Sequence, residues 1–267
     1  MGRTALVTGS TSGIGKAIAL KFAENKYSVI VCGRNVQEGM KVLNRVKELS
    51  DGIFVKVDLR YKEEIDKLVE SVLEHYDRVD VLVNNAGILV YKPLEEITYD
   101  EMIDSIRVNF VAPFLLMQKF LPLMKRWGGG VVINISSIAG LSPYPKGGIY
   151  CSTKAALISL SKVAALECAQ YNIRVVAVAP GLVETRMLYQ DAPKSEKDRF
   201  REIMASRVPI GRIANPEEIA EFIVYLASER ASYITGSVHV IDGGLIAGRR
   251  EAGIEKKQQF NLPRYII

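Results

Sequence analysis

The chain has 267 residues, 48% hydrophobic and 24% charged, a globular composition with room for a large core, no internal repeat, and no apolar run expected to cross a membrane. Its net charge of +5 does not point to a nucleic-acid partner: residues 245–267 carry five basic against two acidic groups, a net +3, and the remainder is of mixed sign. Cys32, Cys151 and Cys168 form no C-x-x-C pair and His75 and His239 stand far apart, so neither a disulfide nor a metal is expected.

The first strand, 4–7, starts almost at the N-terminus, leaving no room for a signal peptide and predicting a cytoplasmic protein. It runs into Thr8-Gly9-Ser10-Thr11-Ser12-Gly13-Ile14-Gly15 and a helix over 14–24. Glycines there permit a tight turn and a close backbone approach, and the helix N-terminus offers unpaired N–H groups to a phosphate. A second strand, 29–32, ends at Gly33-Arg34, and a third, 53–57, at Asp58-Leu59. A helix over 63–76 leads to the strand 79–83 and Asn84-Asn85-Ala86-Gly87. The helix 109–124 is apolar nearly all round. It is followed by the strand 131–135, then Ser136-Ser137, and by a second apolar helix over 150–168. A sixth strand, 174–178, precedes Pro180-Gly181. This alternation predicts one α/β domain over 1–244, a doubly wound parallel sheet with helices on both faces and ligands at the carboxyl ends of its strands.

Tyr150-Cys151-Ser152-Thr153-Lys154 carries the chemistry. A phenol with an ordinary pKa of about 10 is a poor proton carrier near neutrality. Lys154 lies one helical turn away on the same face, and its charge is expected to favour the phenolate. At the tip of the second strand an acidic side chain would bind the adenosine ribose hydroxyls of NAD; Gly33 and Arg34 stand there instead, which favours the extra phosphate of NADP.

From Arg3 to about Gly244 the chain resembles the short-chain dehydrogenase/reductase family. The likeness rests on the glycine loop, Asp58, Asn84–Gly87, Asn109, Ser137 standing 13 residues before Tyr150, Lys154, Pro180-Gly181 with Thr185, and Asp242-Gly243-Gly244. It implies reversible hydride transfer between a nicotinamide and a carbonyl or secondary alcohol. Tyr150 is then the general acid or base, and Ser137 the hydrogen-bonding partner of the substrate oxygen. Lys154 tunes the tyrosine and holds the nicotinamide ribose, and Asn109 holds a water of a proton relay. Cofactor contacts are implied for Gly9, Ser10, Ser12, Gly13, Ile14, Gly15, Arg34, Asp58, Leu59, Asn85, Ala86, Gly87, Tyr150, Lys154, Pro180, Gly181, Val183 and Thr185.

Substrate contacts are expected from 89–91, 138–145 and the charged segment 182–207, read as a long lid loop. Pro143, Tyr144 and Pro145 lean the pocket wall toward a neutral ketone or acyl group. A 3-oxoacyl or related ketone is the leading substrate, a sugar or polyol the alternative, and a non-catalytic NADP-binding regulator a remote one. The two apolar helices pair subunits in the family, which predicts a homotetramer or homodimer. Residues 245–267 end in Phe260, Leu262, Tyr265, Ile266 and Ile267 and are expected to dock on their own or a neighbouring subunit.

Overall fold

The central strands read as unbroken apolar runs because both of their faces are covered. Ala5, Leu6 and Val7 in β1 (Thr4–Val7) are wholly buried, as are Val175, Val176, Ala177 and Val178 in β6 (Ile173–Pro180). A computed structural model describes residues 2–190 and 196–248. With β2 (Ser28–Gly33), β3 (Gly52–Lys56), β4 (Val81–Asn84), β5 (Gly130–Ile135) and β7 (Val238–Ile241), these strands form one seven-stranded sheet in the order β3-β2-β1-β4-β5-β6-β7. Every pairing is parallel.

The seventh strand escaped the sequence reading. At the sheet edge it is only partly buried, and His239 interrupts Val238, Val240 and Ile241, so it shows no continuous apolar run. The segment read as a lid loop contains a helix, Lys197–Arg207, whose charges mask its period because it rests on the cavity and not on the sheet.

One face of the sheet is covered by α1 (Gly13–Glu24), α2 (Val36–Lys47) and α8 (Pro216–Ala227), with Ile18, Phe22, Ile219 and Ile223 wholly buried. The other face carries α3 (Lys62–His75), α5 (Ala112–Arg126) and α6 (Gly148–Cys168), packed through Leu68, Leu116, Phe120 and Met124. Before α5, α4 (Tyr99–Ile106) continues through one π turn at Arg107–Val111. The two stretches Tyr99–Arg126 and Gly148–Tyr171 are long and apolar enough, by composition alone, to cross a membrane, which the sequence reading had excluded. Here they are core helices laid on the sheet. Helix α7 (Lys197–Arg207) completes the set.

Strand order reverses where β1 neighbours both β2 and β4, and a crevice opens at the carboxyl ends of β1 and β4. Residues 249–267 lie outside the described residues, and with them most of the expected C-terminal docking.

Candidate active site

The crevice is a cavity of about 980 Å³ running from the glycine loop past Tyr150 to α7. That is the upper end of the roughly 300–1,000 Å³ usual for small-molecule sites. Its phosphate end is shaped by backbone. Gly9 and Gly13 have φ of 64° and 53°, and a Cβ on Gly9 would fall 2.9 Å from Ala86 Cα. Thr8 Oγ1 accepts from Asn85 N at 2.9 Å and Ala86 N at 3.0 Å, tying the loop after β1 to the loop after β4. Across the gap, a Cβ on Gly13 would sit 3.2 Å from Thr185 Cγ2, so the glycine loop faces the segment after β6. A Cβ on Gly181 would fall 2.7 Å from Asp242 Cα, so only glycine fits against the turn Asp242-Gly243-Gly244. There Asp242 accepts from Gly244 N and Ile246 N at 2.8 Å.

At the adenosine corner, Thr11, Gly33 and Arg34 line the cavity together. A Cβ on Gly33 would lie 2.9 Å from Thr11 Cγ2, so an acidic side chain has no room there. Asp58 and Leu59 line the same corner. The Asp58 carboxylate accepts from Arg60 Nε at 3.0 Å and Nη2 at 2.6 Å, and Arg60 also reaches Asp104 at 3.0 Å. Hydrogen bonding to Arg60 holds Asp58 below its usual carboxylate range, against the opposing effect of burial. The donor set therefore suits an adenosine carrying an additional phosphate.

The reacting end sits where β5 and α6 meet. Ser136 Oγ donates to Lys154 O at 2.8 Å and is committed to holding α6. Ser137 accepts from Ala139 N at 3.1 Å and lines the cavity together with Tyr150. Tyr150 lies in the first turn of α6, where the helix dipole favours a negative charge. Behind them a buried ladder fixes α6: Asn84 Nδ2 donates to Asn134 Oδ1 at 2.7 Å, and Asn134 Nδ2 to Ser161 Oγ at 2.8 Å.

The electrostatics differ from the expectation that Lys154 draws the tyrosine down. Burial pushes the Tyr150 phenol above its ordinary value, with the neighbouring Ser137 hydroxyl opposing it. Lys154 Nζ lies 5.8 Å from the centre of the Tyr150 ring and donates to Ile135 O at 2.8 Å. Burial lowers the ammonium from 10.5 to about 8. Both groups have lost water, and that loss sets the direction of each shift.

Two of the expected site residues do not line the cavity. Ser10 is wholly buried and points away from the cavity: its hydroxyl donates to Val7 O at 2.7 Å and accepts from Cys32 N at 2.9 Å, clipping the loop to β2. Asn109 is also wholly buried and its amide is fully engaged. Oδ1 accepts from Ile88 N at 2.8 Å, while Nδ2 donates to Ile88 O at 2.9 Å and Thr153 Oγ1 at 3.2 Å, so the side chain clamps the loop after β4 to α6. All the other expected site residues line the cavity. Sequence reasoning missed Thr11, Ile88 and Val108. Thr11 sat inside the quoted loop, and its position opposite Gly33 was the missing signal.

At the substrate end Tyr91 and Tyr144 stand with ring centres 6.2 Å apart, joined by Leu89, Ile203, Met204 and Arg207. Pro143 and Pro145 are exposed and do not line the cavity, so only Tyr144 of that trio forms its wall.

A family model described as "Enoyl-(Acyl carrier protein) reductase" matches residues 9–246. A 3-oxoacyl-[acyl-carrier-protein] reductase of Thermotoga maritima is 40% identical over 252 residues, covering 92% of this chain and 98% of that protein. A 7alpha-hydroxysteroid dehydrogenase of Clostridium sardiniense is 35% identical, with coverage of 92% and 94%. Among solved structures, the L-sorbose reductase of Gluconobacter frateurii complexed with NADPH and L-sorbose superposes with a TM-score of 0.87 at 34% identity, covering 93% of this chain and 98% of that one.

Proposed function

The chain belongs to the short-chain dehydrogenase/reductase family, and from that premise we propose that it reduces a ketone to a secondary alcohol with NADPH. The observation that carries this reading is the meeting of Ser137, Tyr150 and buried Lys154 on the wall of one cavity continuous with the glycine loop. NADPH, when bound, supplies the hydride for the carbonyl carbon.

The residues of the chain manage everything else. Backbone of the Gly9–Gly15 loop and the start of α1 hold the pyrophosphate, and Arg34 holds the adenosine phosphate. Pro180, Gly181, Val183 and Thr185 close over the nicotinamide end. The Ser137 hydroxyl donates to the substrate oxygen, and Tyr150 transfers its phenolic proton to that oxygen as it becomes an alkoxide. The phenolate left behind is favoured by the α6 N-terminus and by the Lys154 ammonium. Asn109 positions the Ile88 backbone and Thr153 beside these groups.

The 40% identical relative favours a 3-oxoacyl or related ketone as substrate. A polyhydroxy ketone is the second reading. It is favoured by Tyr171, an aromatic residue before β6 where a basic one would suit a carrier protein, with Lys125 Nζ packed 4.2 Å over its ring. Exposed Phe114, Val163 and Leu166 on α5 and α6 support assembly into a homodimer or homotetramer through those helices. The test is NADPH consumption by the purified protein over a panel of oxoacyl thioesters and ketoses. Turnover of one class supports the reading, whereas NADPH binding without turnover of any ketone speaks for a non-catalytic regulator.

A further inference from the structure

Asp58 lines the adenosine corner of the cavity, but Arg60, the residue that holds it, does not. Arg60 takes both carboxylate oxygens. Its Nε donates to Oδ1 at 3.0 Å and to Oδ2 at 3.1 Å, and its Nη2 to Oδ2 at 2.6 Å. Nη1 donates to Asp104 Oδ2 on α4 at 3.0 Å, and Arg107 adds a looser contact to Asp104 at 3.8 Å. The backbone closes the same turn, with Arg60 N donating to Asp58 Oδ1 at 3.1 Å and Asp58 N to the Glu64 carboxylate at the start of α3. Asp58, Arg60 and Asp104 are all partly buried, so their charges are screened less than at an open surface.

Three carboxylates, Asp58, Glu64 and Asp104, thus gather beside the corner that suits an adenosine phosphate. The ligand of that phosphate, Arg34, lines the same corner. Hydrogen bonding to Arg60 is the main influence holding Asp58 low, and Arg34 stands near enough for its charge to add to the effect. A carboxylate in reach of Arg34 competes with the phosphate in two ways: it repels the dianion, and it offers Arg34 another partner. Arg60 opposes both, because a guanidinium holding a carboxylate through paired hydrogen bonds offsets its charge and fixes its direction. The tie to Asp104 anchors that guanidinium on α4 and keeps it at Asp58.

We propose that Arg60 is a positioning residue for cofactor selection: by engaging Asp58 it leaves Arg34 to the adenosine phosphate, and so sustains a preference for NADPH over NADH without itself lining the cavity. The inference goes beyond the ketone-reductase reading and needs only that the cavity binds the cofactor.

The experiment is fluorescence titration of the full chain with NADPH and with NADH, read as the ratio of the two dissociation constants, with thermal melts to confirm folding. Wild type is expected to bind NADPH more tightly, and equal affinities overturn the proposal. Arg60→Ala should weaken NADPH by about 10-fold and NADH by less than about 3-fold, because an uncompensated carboxylate then faces the dianion. Arg60→Lys, which keeps the charge and loses the fork, should fall between this variant and wild type. Adding Asp58→Asn to Arg60→Ala should bring the ratio back near the wild-type value, since the carboxylate through which Arg60 acts is gone. A merely structural Arg60 would weaken both cofactors alike and give no such recovery. Equal losses, or an unchanged NADPH affinity in Arg60→Ala, therefore overturn the proposal. If Arg60→Ala does not fold, Asp58→Asn alone decides. It leaves the guanidinium uncompensated and should raise the preference for NADPH by about 3- to 10-fold, whereas an unchanged or lowered preference overturns the proposal. No ketone enters the measurement, so its failure leaves the reductase reading standing, and absence of turnover leaves this result standing.

Discussion

Replacing Lys154 by Met keeps the length of the side chain and removes a buried charge. In the wild type burial holds the ammonium at about 8 against an ordinary 10.5. Between those values the unfolded chain binds a proton that the folded chain has released, so this group makes stability rise with pH across the window. At about 1.36 kcal/mol per pH unit, the span from 10.5 to about 8 corresponds to roughly 3 kcal/mol. That destabilisation is fully present at pH 7 and nearly gone at pH 10.5. The Met variant has no such titration, and its lost hydrogen bond to Ile135 O weighs equally at both ends of the range. Urea unfolding of both proteins without cofactor, from pH 7 to pH 10.5, should show the stability difference moving by roughly 3 kcal/mol in favour of wild type. Parallel curves would refute the reasoning, because they would mean that the ammonium titrates in its ordinary range and that water reaches it.

Arg34→Ala should weaken NADPH binding by about 10- to 100-fold in a fluorescence titration and leave NADH nearly unaffected, since only NADPH carries the additional phosphate. Equal losses would assign Arg34 a structural role. Asn134→Leu removes the middle of the buried ladder and leaves Asn84 Nδ2 without its acceptor and Ser161 without its donor. The expected loss is about 2–4 kcal/mol, or roughly 5–15 °C in a thermal melt, and an unchanged Tm would show that the ladder is dispensable.

Much of this site was legible because the fold puts function at the ends of strands that are themselves legible. β1, β4, β5 and β6 are covered on both faces, so their apolar runs located Gly9, Asn85, Ser137 and Pro180 at their carboxyl ends. What stayed hidden depended on direction and not on position. Ser10 and Ser12 sit two residues apart in one loop, yet the Ser10 hydroxyl turns back to β1 and β2 while Ser12 lines the cavity. Asn109 was placed correctly beside Lys154, but its partners on Ile88 come from a distant loop. The upward displacement of Tyr150 follows from burial, which a Tyr-x-x-x-Lys spacing does not encode. Helix α7 was hidden because the face it buries is lined by arginines.

Tyr150→Phe decides the chemistry, because it removes only the proton-bearing oxygen and leaves the ring in its packing against Ala139 and Leu89. The measurement is NADPH oxidation followed by absorbance with an accepted ketone, alongside NADPH affinity by fluorescence. The proton-donor role predicts a fall in kcat/KM of about 100-fold or more with NADPH affinity unchanged. Turnover close to wild type would contradict it and would place the proton on another group.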